Sequence, residues 1–172
     1  MTNPQEFDPT EVLYKELKKS GLDFFVSVPC KLLGDLIDQL REDDSISYTP
    51  VSREEEGIGI LAGAYLSGKK PAIVMQNSGF GNSVNAICSL LNYYQIPVVF
   101  IISHRGSPGE PIEAQKVMGN AIYKLMEAVD VDILEVKEAS GVANIPKCIE
   151  KAHASSRSLG ILLPFSYWGN GQ

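Results

Sequence analysis

The sequence predicts an α/β fold, a three-layer sandwich in which helices cover both faces of a mostly parallel sheet of about six strands. Two observations predict it. Short apolar runs alternate along the chain with longer stretches whose apolar residues recur at helical spacing. Some of the short runs, such as residues 71–75 and 97–103, are almost continuously apolar, which is typical of parallel strands buried on both faces.

The 172 residues fit a single domain, residues 1–172, because a chain of this length can bury a full hydrophobic core. The formal net charge of −6 disfavours nucleic acid and acidic membrane surfaces as partners, since the protein's own field would repel them. The sequence shows no signal peptide and no apolar run near the ~20 residues of a membrane span. We therefore expect a cytoplasmic protein with no nucleic-acid or membrane contact.

The first elements of the alternation are a helix, a strand and a helix. Asp8 or Thr10 can cap the first helix, and Gly21 marks its end. A strand at residues 24–28 and a helix at residues 32–40 follow.

A strand at residues 45–51 leads into a helix that is rich in small residues. Ser52 and Glu55 have the spacing of a capping box, which predicts a helix start near Arg53. Glycine lowers helix propensity by up to about 1 kcal/mol, so several small residues in one helix indicate close packing and a buried helix. These residues are Gly57, Gly59, Ala62, Gly63 and Ala64.

Four strands and three helices complete the pattern. Strands are predicted at residues 71–75, 97–103, 131–136 and 160–164, and helices at 83–94, 114–128 and 142–155. Ligands of such sheets bind beyond the carboxyl ends of the strands. The candidate positions are residues 28–30, 53–54, 76–78 and 104–106.

Gly79 and Gly81 lie between a predicted strand end and a predicted helix start, where their backbone could approach a ligand closely. The spacing matches neither the dinucleotide-binding fingerprint nor a P-loop. A purely structural tight turn is the alternative interpretation.

Charged residues follow two of the predicted strands. Glu54, Glu55 and Glu56 suit a solvated first helical turn, yet one carboxylate on the buried side could exchange a proton with a ring nitrogen of a ligand. Arg105, next to His104, could bind an oxyanion in paired geometry, or it could form an ion pair within its own loop.

The three cysteines lack the spacing of metal ligands, so we expect reduced thiols and no metal site in this chain. They are Cys30, Cys88 and Cys148. Cys30 follows a strand, but no histidine is near it in sequence, and a free cysteine is more often a small buried apolar residue than a nucleophile.

Four segments together resemble a known family. They are SVPCKLL at residues 27–33, SREEEGIGILAGAYLSGKKP at 52–71, MQNSGFGNSVNAICSL at 75–90 and HRGSPGE at 104–110. The chain resembles the pyrimidine-binding domain of thiamine diphosphate-dependent decarboxylases, most closely the sulfopyruvate decarboxylases, with the phosphonopyruvate decarboxylases as near relatives. The resemblance covers essentially the whole chain and implies the thiamine diphosphate-binding fold.

The resemblance implies a cofactor site. A glutamate of this family bonds the N1′ nitrogen of the aminopyrimidine ring and so promotes formation of the reactive thiazolium carbanion. The match assigns this catalytic role to Glu54, with Glu55 as the fallback. The same match places Gln76, Asn77, Ser78 and Gly79 along the cofactor cleft.

The resemblance also implies a substrate side. Residues that would face a small 2-oxoacid are Pro29, Cys30, His104, Arg105 and Gln115. Arg105 is the candidate ligand of a sulfonate.

The family's diphosphate-binding motif, Gly-Asp-Gly with a later asparagine that holds Mg²⁺ through oxygen ligands, does not occur in this sequence. The resemblance therefore implies half of a split enzyme: an alpha subunit that self-associates and needs a beta subunit to supply the diphosphate-binding domain and Mg²⁺. The implied reaction converts 3-sulfopyruvate to sulfoacetaldehyde and CO₂ in coenzyme M biosynthesis. The alternatives are a phosphonopyruvate decarboxylase subunit and a noncatalytic domain that binds a nucleotide or a protein partner.

Overall fold

Six parallel strands form one sheet in the computed structural model of the chain, which describes residues 8–169. The strands are β1 Phe24–Ser27, β2 Ser47–Pro50, β3 Pro71–Gln76, β4 Val99–His104, β5 Asp132–Glu135 and β6 Leu159–Pro164. The α-helices are α1 Pro9–Lys19, α2 Gly34–Glu42, α3 Glu54–Leu66, α4 Asn77–Ala86, α5 Glu113–Ala128 and α6 Ile145–Ala154. The α/β prediction is confirmed.

The strand order is β2-β1-β3-β4-β6-β5, and every neighbouring pair is parallel. The central strands β3, β4 and β6 are buried almost throughout, whereas the edge strand β2 is partly exposed. Because all strands run the same way, their carboxyl ends meet at one edge of the sheet.

The chain forms three layers, a central sheet with helices on each face, and one apolar cluster lies between the sheet and the helices on each side. On one face the sheet packs against α1, α2 and α6, and on the other against α3, α4 and α5. Side chains of each strand alternate between them: Val74 and Ile101 join the first cluster, and Ile73 and Phe100 join the second.

The first helix follows its prediction closely. The Asp8 side chain accepts a hydrogen bond from the Thr10 amide at 2.8 Å, and Gly21 follows the helix with a φ of 79°. A left-handed conformation of this kind suits glycine because it has no Cβ. Short 3₁₀ segments precede α2 and α6, at Lys31–Leu33 and Ala139–Asn144.

The capping box predicted for α3 is wrong. The helix begins at Glu54, its N-cap is Arg53, and no side chain caps it. The Glu55 carboxylate does not reach back to Ser52, because it pairs with the Arg53 guanidinium at 2.8 Å on the surface.

The prediction that α3 is buried holds for one side only. A Cβ on Gly57 would lie 2.8 Å from the Ile73 side chain, so this glycine permits close packing on the sheet. Gly59 and Gly63 face open space, and Leu66 is 77% exposed. Half of this small-residue helix therefore remains uncovered in the single chain.

The predicted start of α4 is also wrong. The helix begins at Asn77 directly after β3, so Gly79 and Gly81 lie inside its first turns and not in a loop before it. The two glycines lower the intrinsic helix propensity, but fully buried Phe80 packs edge-on against Phe100 with ring centroids 5.3 Å apart. Tertiary packing thus overrides propensity here, and a π-helical segment, Ile87–Asn92, continues the helix.

Within residues 8–169, no helix combines the length and the apolar character that crossing a bilayer requires. Nor does this part of the chain bring together three or more histidine, cysteine, aspartate or glutamate side chains in a metal-binding group.

Candidate active site

The polar residues singled out in the sequence lie at the carboxyl edge of the sheet. Glu54 opens α3 after β2, and residues 76–79 join β3 to α4. Gln76 lies opposite Ser103 of β4 in the parallel register. The sheet order therefore brings the ends of β1, β3 and β4 side by side.

Glu54 points from α3 toward α4. Asn82 Nδ2 donates a hydrogen bond to Glu54 Oε2 at 3.3 Å, and a Cβ on Gly79 would overlap the Glu54 carboxylate. Glu55 instead faces Arg53 at the surface. Of the two glutamates that the sequence left open, Glu54 is thus the one that faces the residues at the start of α4.

Gln76 joins two groups that were predicted separately. Its Nε2 donates to Ser78 Oγ at 2.9 Å and to Gln115 Oε1 at 3.1 Å. Gln115 lies in the first turn of α5. A residue expected on the cofactor side and one expected on the substrate side are therefore directly hydrogen-bonded.

Asn77 is fully buried and ties α4 to the loop after β4. Its Nδ2 donates to the Arg105 carbonyl oxygen at 2.8 Å, while its Oδ1 has no hydrogen-bond partner within the described chain. A buried acceptor without a partner costs about 1–3 kcal/mol. The Asn77 side chain therefore anchors the start of α4 to the loop after β4.

Arg105 forms a buried, two-pronged ion pair with Glu110. Its Nε and Nη2 donate to Oε2 and Oε1 at 2.6 and 2.7 Å. The Glu110 carboxylate also accepts the backbone N–H groups of Gly106 and Ile112. These hydrogen bonds, led by that of Arg105, lower the pKa of Glu110 to about 2, and Glu110 in turn raises the pKa of Arg105.

The ion pair bears on the expected role of Arg105. The loop ion pair that the sequence left as an alternative is present, so the guanidinium charge is already neutralised. The sequence did not identify Glu110 as the partner of Arg105, although an acidic residue at the end of the same Gly- and Pro-rich turn was the available signal.

The loop after β4 lies directly on α5. Gly106 has a φ of 82°, and a Cβ on Gly119 would lie 2.6 Å from the Arg105 carbonyl oxygen and 2.7 Å from Gly106. Backbone thus meets backbone at the second turn of α5, which fixes the loop and the helix relative to each other.

His104 lies apart from the other predicted substrate residues. Its ring is 4% exposed, its Nε2 is 3.0 Å from the Gly119 carbonyl oxygen, and it meets the Tyr123 ring edge-on at 5.3 Å between centroids. Because successive strand residues point to opposite faces, His104 lies under α5 while Ser103 points to the other face.

Cys30 reaches across the ends of the strands. Its Sγ lies 3.1 Å from Ser103 Oγ, and the neighbouring Pro29 is exposed. The structure therefore groups Cys30 with Ser103 and places both on the face opposite His104.

Comparison with known proteins identifies the family. The family model for the thiamine pyrophosphate enzyme N-terminal TPP binding domain matches residues 8–132; thiamine pyrophosphate is thiamine diphosphate. The chain is 41% identical to sulfopyruvate decarboxylase subunit alpha of Methanothermobacter thermautotrophicus over 94% of this chain and 98% of that one. The chain belongs to the sulfopyruvate decarboxylase alpha-subunit family.

The chain also corresponds to part of longer enzymes. The chain is 30% identical to the sulfopyruvate decarboxylase of Methanosarcina acetivorans over 94% of this chain but only 41% of that one. The fold matches the thiamine diphosphate-dependent 4-hydroxybenzoylformate decarboxylase of Rhodococcus jostii with a TM-score of 0.68 at 18% identity, over 94% of this chain and 31% of that one.

Proposed function

We propose that the chain is the alpha subunit of a thiamine diphosphate-dependent decarboxylase that converts 3-sulfopyruvate to sulfoacetaldehyde and CO₂ in coenzyme M biosynthesis. The observation that carries this proposal is the Glu54 carboxylate. It opens α3 at the ligand-binding edge, faces the start of α4, and has no cation within ion-pairing distance among residues 8–169.

Glu54 is the catalytic residue of the proposal. Its carboxylate would hydrogen-bond the N1′ nitrogen of a bound aminopyrimidine ring and exchange a proton with it, and Gly79 leaves the space in which that carboxylate lies. Bound thiamine diphosphate supplies the electron sink for loss of CO₂.

One observation in the chain fits an aminopyrimidine. The Glu54 carboxylate accepts only the long 3.3 Å hydrogen bond from Asn82, so an acceptor is available for a ring N–H. The fully buried Asn77 would support the cleft from below through its hydrogen bond to the Arg105 carbonyl oxygen. Gln76, Ser78 and Gly79 complete this cofactor cleft in the proposal.

The substrate side consists of Pro29, Cys30, His104, Arg105 and Gln115 in the proposal. Gln115 is positioned by Gln76. Arg105 keeps Nη1 free of hydrogen bonds within the described residues, so it can donate to the 2-oxoacid although Glu110 neutralises its charge. His104, buried under α5, would act by positioning that helix.

A second subunit completes the proposed enzyme. The name of the Methanothermobacter relative implies another subunit, and the longer Methanosarcina relative contains more than twice the length that the chain matches. We propose that a beta subunit supplies the diphosphate-binding domain and Mg²⁺, and that alpha chains also associate with each other, as closed symmetry is common in oligomers.

A CO₂-release assay tests the proposal. The gene for the chain is co-expressed with the gene for the beta subunit, and the complex is purified. Its CO₂ release is then measured with 3-sulfopyruvate and with phosphonopyruvate, each with and without thiamine diphosphate and Mg²⁺. We expect release from 3-sulfopyruvate that requires both subunits and the cofactor. Preference for phosphonopyruvate would favour that alternative, and no cofactor-dependent release from either acid would favour the noncatalytic domain.

A further inference from the structure

Basic residues follow the carboxyl ends of four strands, but three of them are neutralised. Arg53, after β2, pairs with Glu55, and Arg105, after β4, pairs with Glu110. Lys137, after β5, pairs with Glu135. Lys31, after β1, has no acidic partner within 4.0 Å among residues 8–169. Of these four basic residues, Lys31 alone brings uncompensated positive charge to this edge of the sheet.

Lys31 lines a cavity of about 430 Å³ between the ends of β1 and β2 and the start of α2. Cys30 shares the wall, as does the hydrogen-bonded pair of Ser27 Oγ and Tyr48 OH, 2.7 Å apart. Asp38 and Arg41 also line the cavity, but they pair with each other. The exposed Lys31 therefore supplies the net positive charge of the wall, beside hydroxyl groups, and this combination suits a small oxyanion.

The cavity adjoins the candidate active site through Cys30. The Cys30 thiol contacts Ser103, and Ser103 lies opposite Gln76 in the register of β3 and β4. Strand β1 also neighbours β3 directly, so the β1 wall of the cavity is about one strand spacing, ~4.8 Å, from β3. A substrate held near Gln76 can therefore extend one end into the cavity.

We propose that Lys31 binds the second anionic group of the substrate, the sulfonate under the proposed function on which this inference rests. A substrate with two anionic groups needs uncompensated positive charge once water is excluded, because an unpaired buried anion is costly. The Arg105–Glu110 pair has no net charge to offer. The lysine ammonium is a compact charge on a flexible stem, and it can reach an anion in the cavity.

Replacement of Lys31 in the complex of both subunits tests the inference. Lys31→Met should raise the KM for 3-sulfopyruvate ten- to a hundredfold, the effect of losing one hydrogen bond to a charged group, and should change kcat less than threefold. The dissociation constant of 3-sulfopropanoate, which keeps both anionic groups and lacks the 2-oxo group, should rise by the same factor. Lys31→Arg, which keeps the charge, should stay within about fivefold of wild type.

The matched control is Lys15→Met, which removes one exposed lysine on α1 and should leave both constants unchanged. A KM and a dissociation constant within threefold of wild type in Lys31→Met would overturn the inference. If the wild-type complex released no CO₂ from 3-sulfopyruvate, the proposed function would fail, and 3-sulfopropanoate binding would still decide the role of Lys31.

Discussion

The carboxylate of Glu54 occupies the space that a side chain on Gly79 would fill. Glu54 is the first residue of α3 and Gly79 the third residue of α4, and these helices follow β2 and β3, strands that are separated in the sheet by β1. Helices α3 and α4 therefore pack across the end of β1, and Asn82 adds a hydrogen bond between them. A small residue at position 79 is a steric requirement for the position of Glu54.

Glu54→Gln should lower kcat by about 10²–10⁴, the usual contribution of a positioned proton-transfer group. The glutamine amide keeps the shape of the side chain, but it is neutral and cannot exchange a proton with the N1′ nitrogen of the cofactor. The measurement is cofactor-dependent CO₂ release by the complex, with a thermal melt to show that the variant folds.

Glu55→Gln is the matched control, because Glu55 is adjacent in sequence but pairs with Arg53 at the surface. It should retain activity within about twofold, since exposed ion pairs contribute little. A larger loss in Glu55→Gln than in Glu54→Gln would transfer the catalytic role to Glu55.

Gly79→Ala should displace the Glu54 carboxylate and reduce kcat about a hundredfold, as expected when a catalytic group is misplaced by about 1 Å. Gly81→Ala, two residues further along α4, is the control. Its new Cβ would lie 3.2 Å from the end of the Met118 side chain, which can move. The kcat of both variants is measured by steady-state kinetics, and equal values would contradict the steric role of Gly79.

Glu110→Gln should destabilise the protein by about 3 kcal/mol, because loss of one partner leaves a buried charge on Arg105 without compensation. The double variant Arg105→Met with Glu110→Gln should recover part of that loss, since neither buried charge remains. Urea unfolding of wild type and the variants measures both effects. Additive losses in the double variant would show that the pair is not coupled.

The same carboxylate predicts a pH dependence of stability. Its pKa is about 2 in the folded chain and 4.5 in the absence of its partners. A lowered folded-state pKa gives stabilisation that is fully present above pH 4.5 and is lost as the pH falls toward about 2. The difference in the free energy of unfolding between wild type and Glu110→Gln should therefore shrink from pH 5 to pH 3, and a constant difference would contradict this assignment.

Local pattern was sufficient for the fold class and for most elements. Continuous apolar runs predicted the buried strands, and the Asp8 cap and Gly21 bounded the first helix correctly. The start of α4 was missed because local propensity penalises glycine, whereas the burial of Phe80 depends on a contact with Phe100 that is distant in sequence.

The candidate site, like the fold, was predictable from the sequence in part. The residue types at the strand ends, Glu54 and Gln76 among them, could be selected from the sequence because the carboxyl ends of parallel strands share one edge. The alternation of buried residues along β4 could also have shown that His104 and Ser103 point to opposite faces.

By itself the sequence determined a parallel α/β sheet and the set of polar residues at its ligand-binding edge, since both depend on periodicity over a few neighbouring residues. Only the tertiary structure decided that Glu54 and not Glu55 faces Gly79, and that Glu110 neutralises Arg105. The physical reason is that these relationships arise from strand order, register and helix packing, which bring together side chains that local pattern cannot pair.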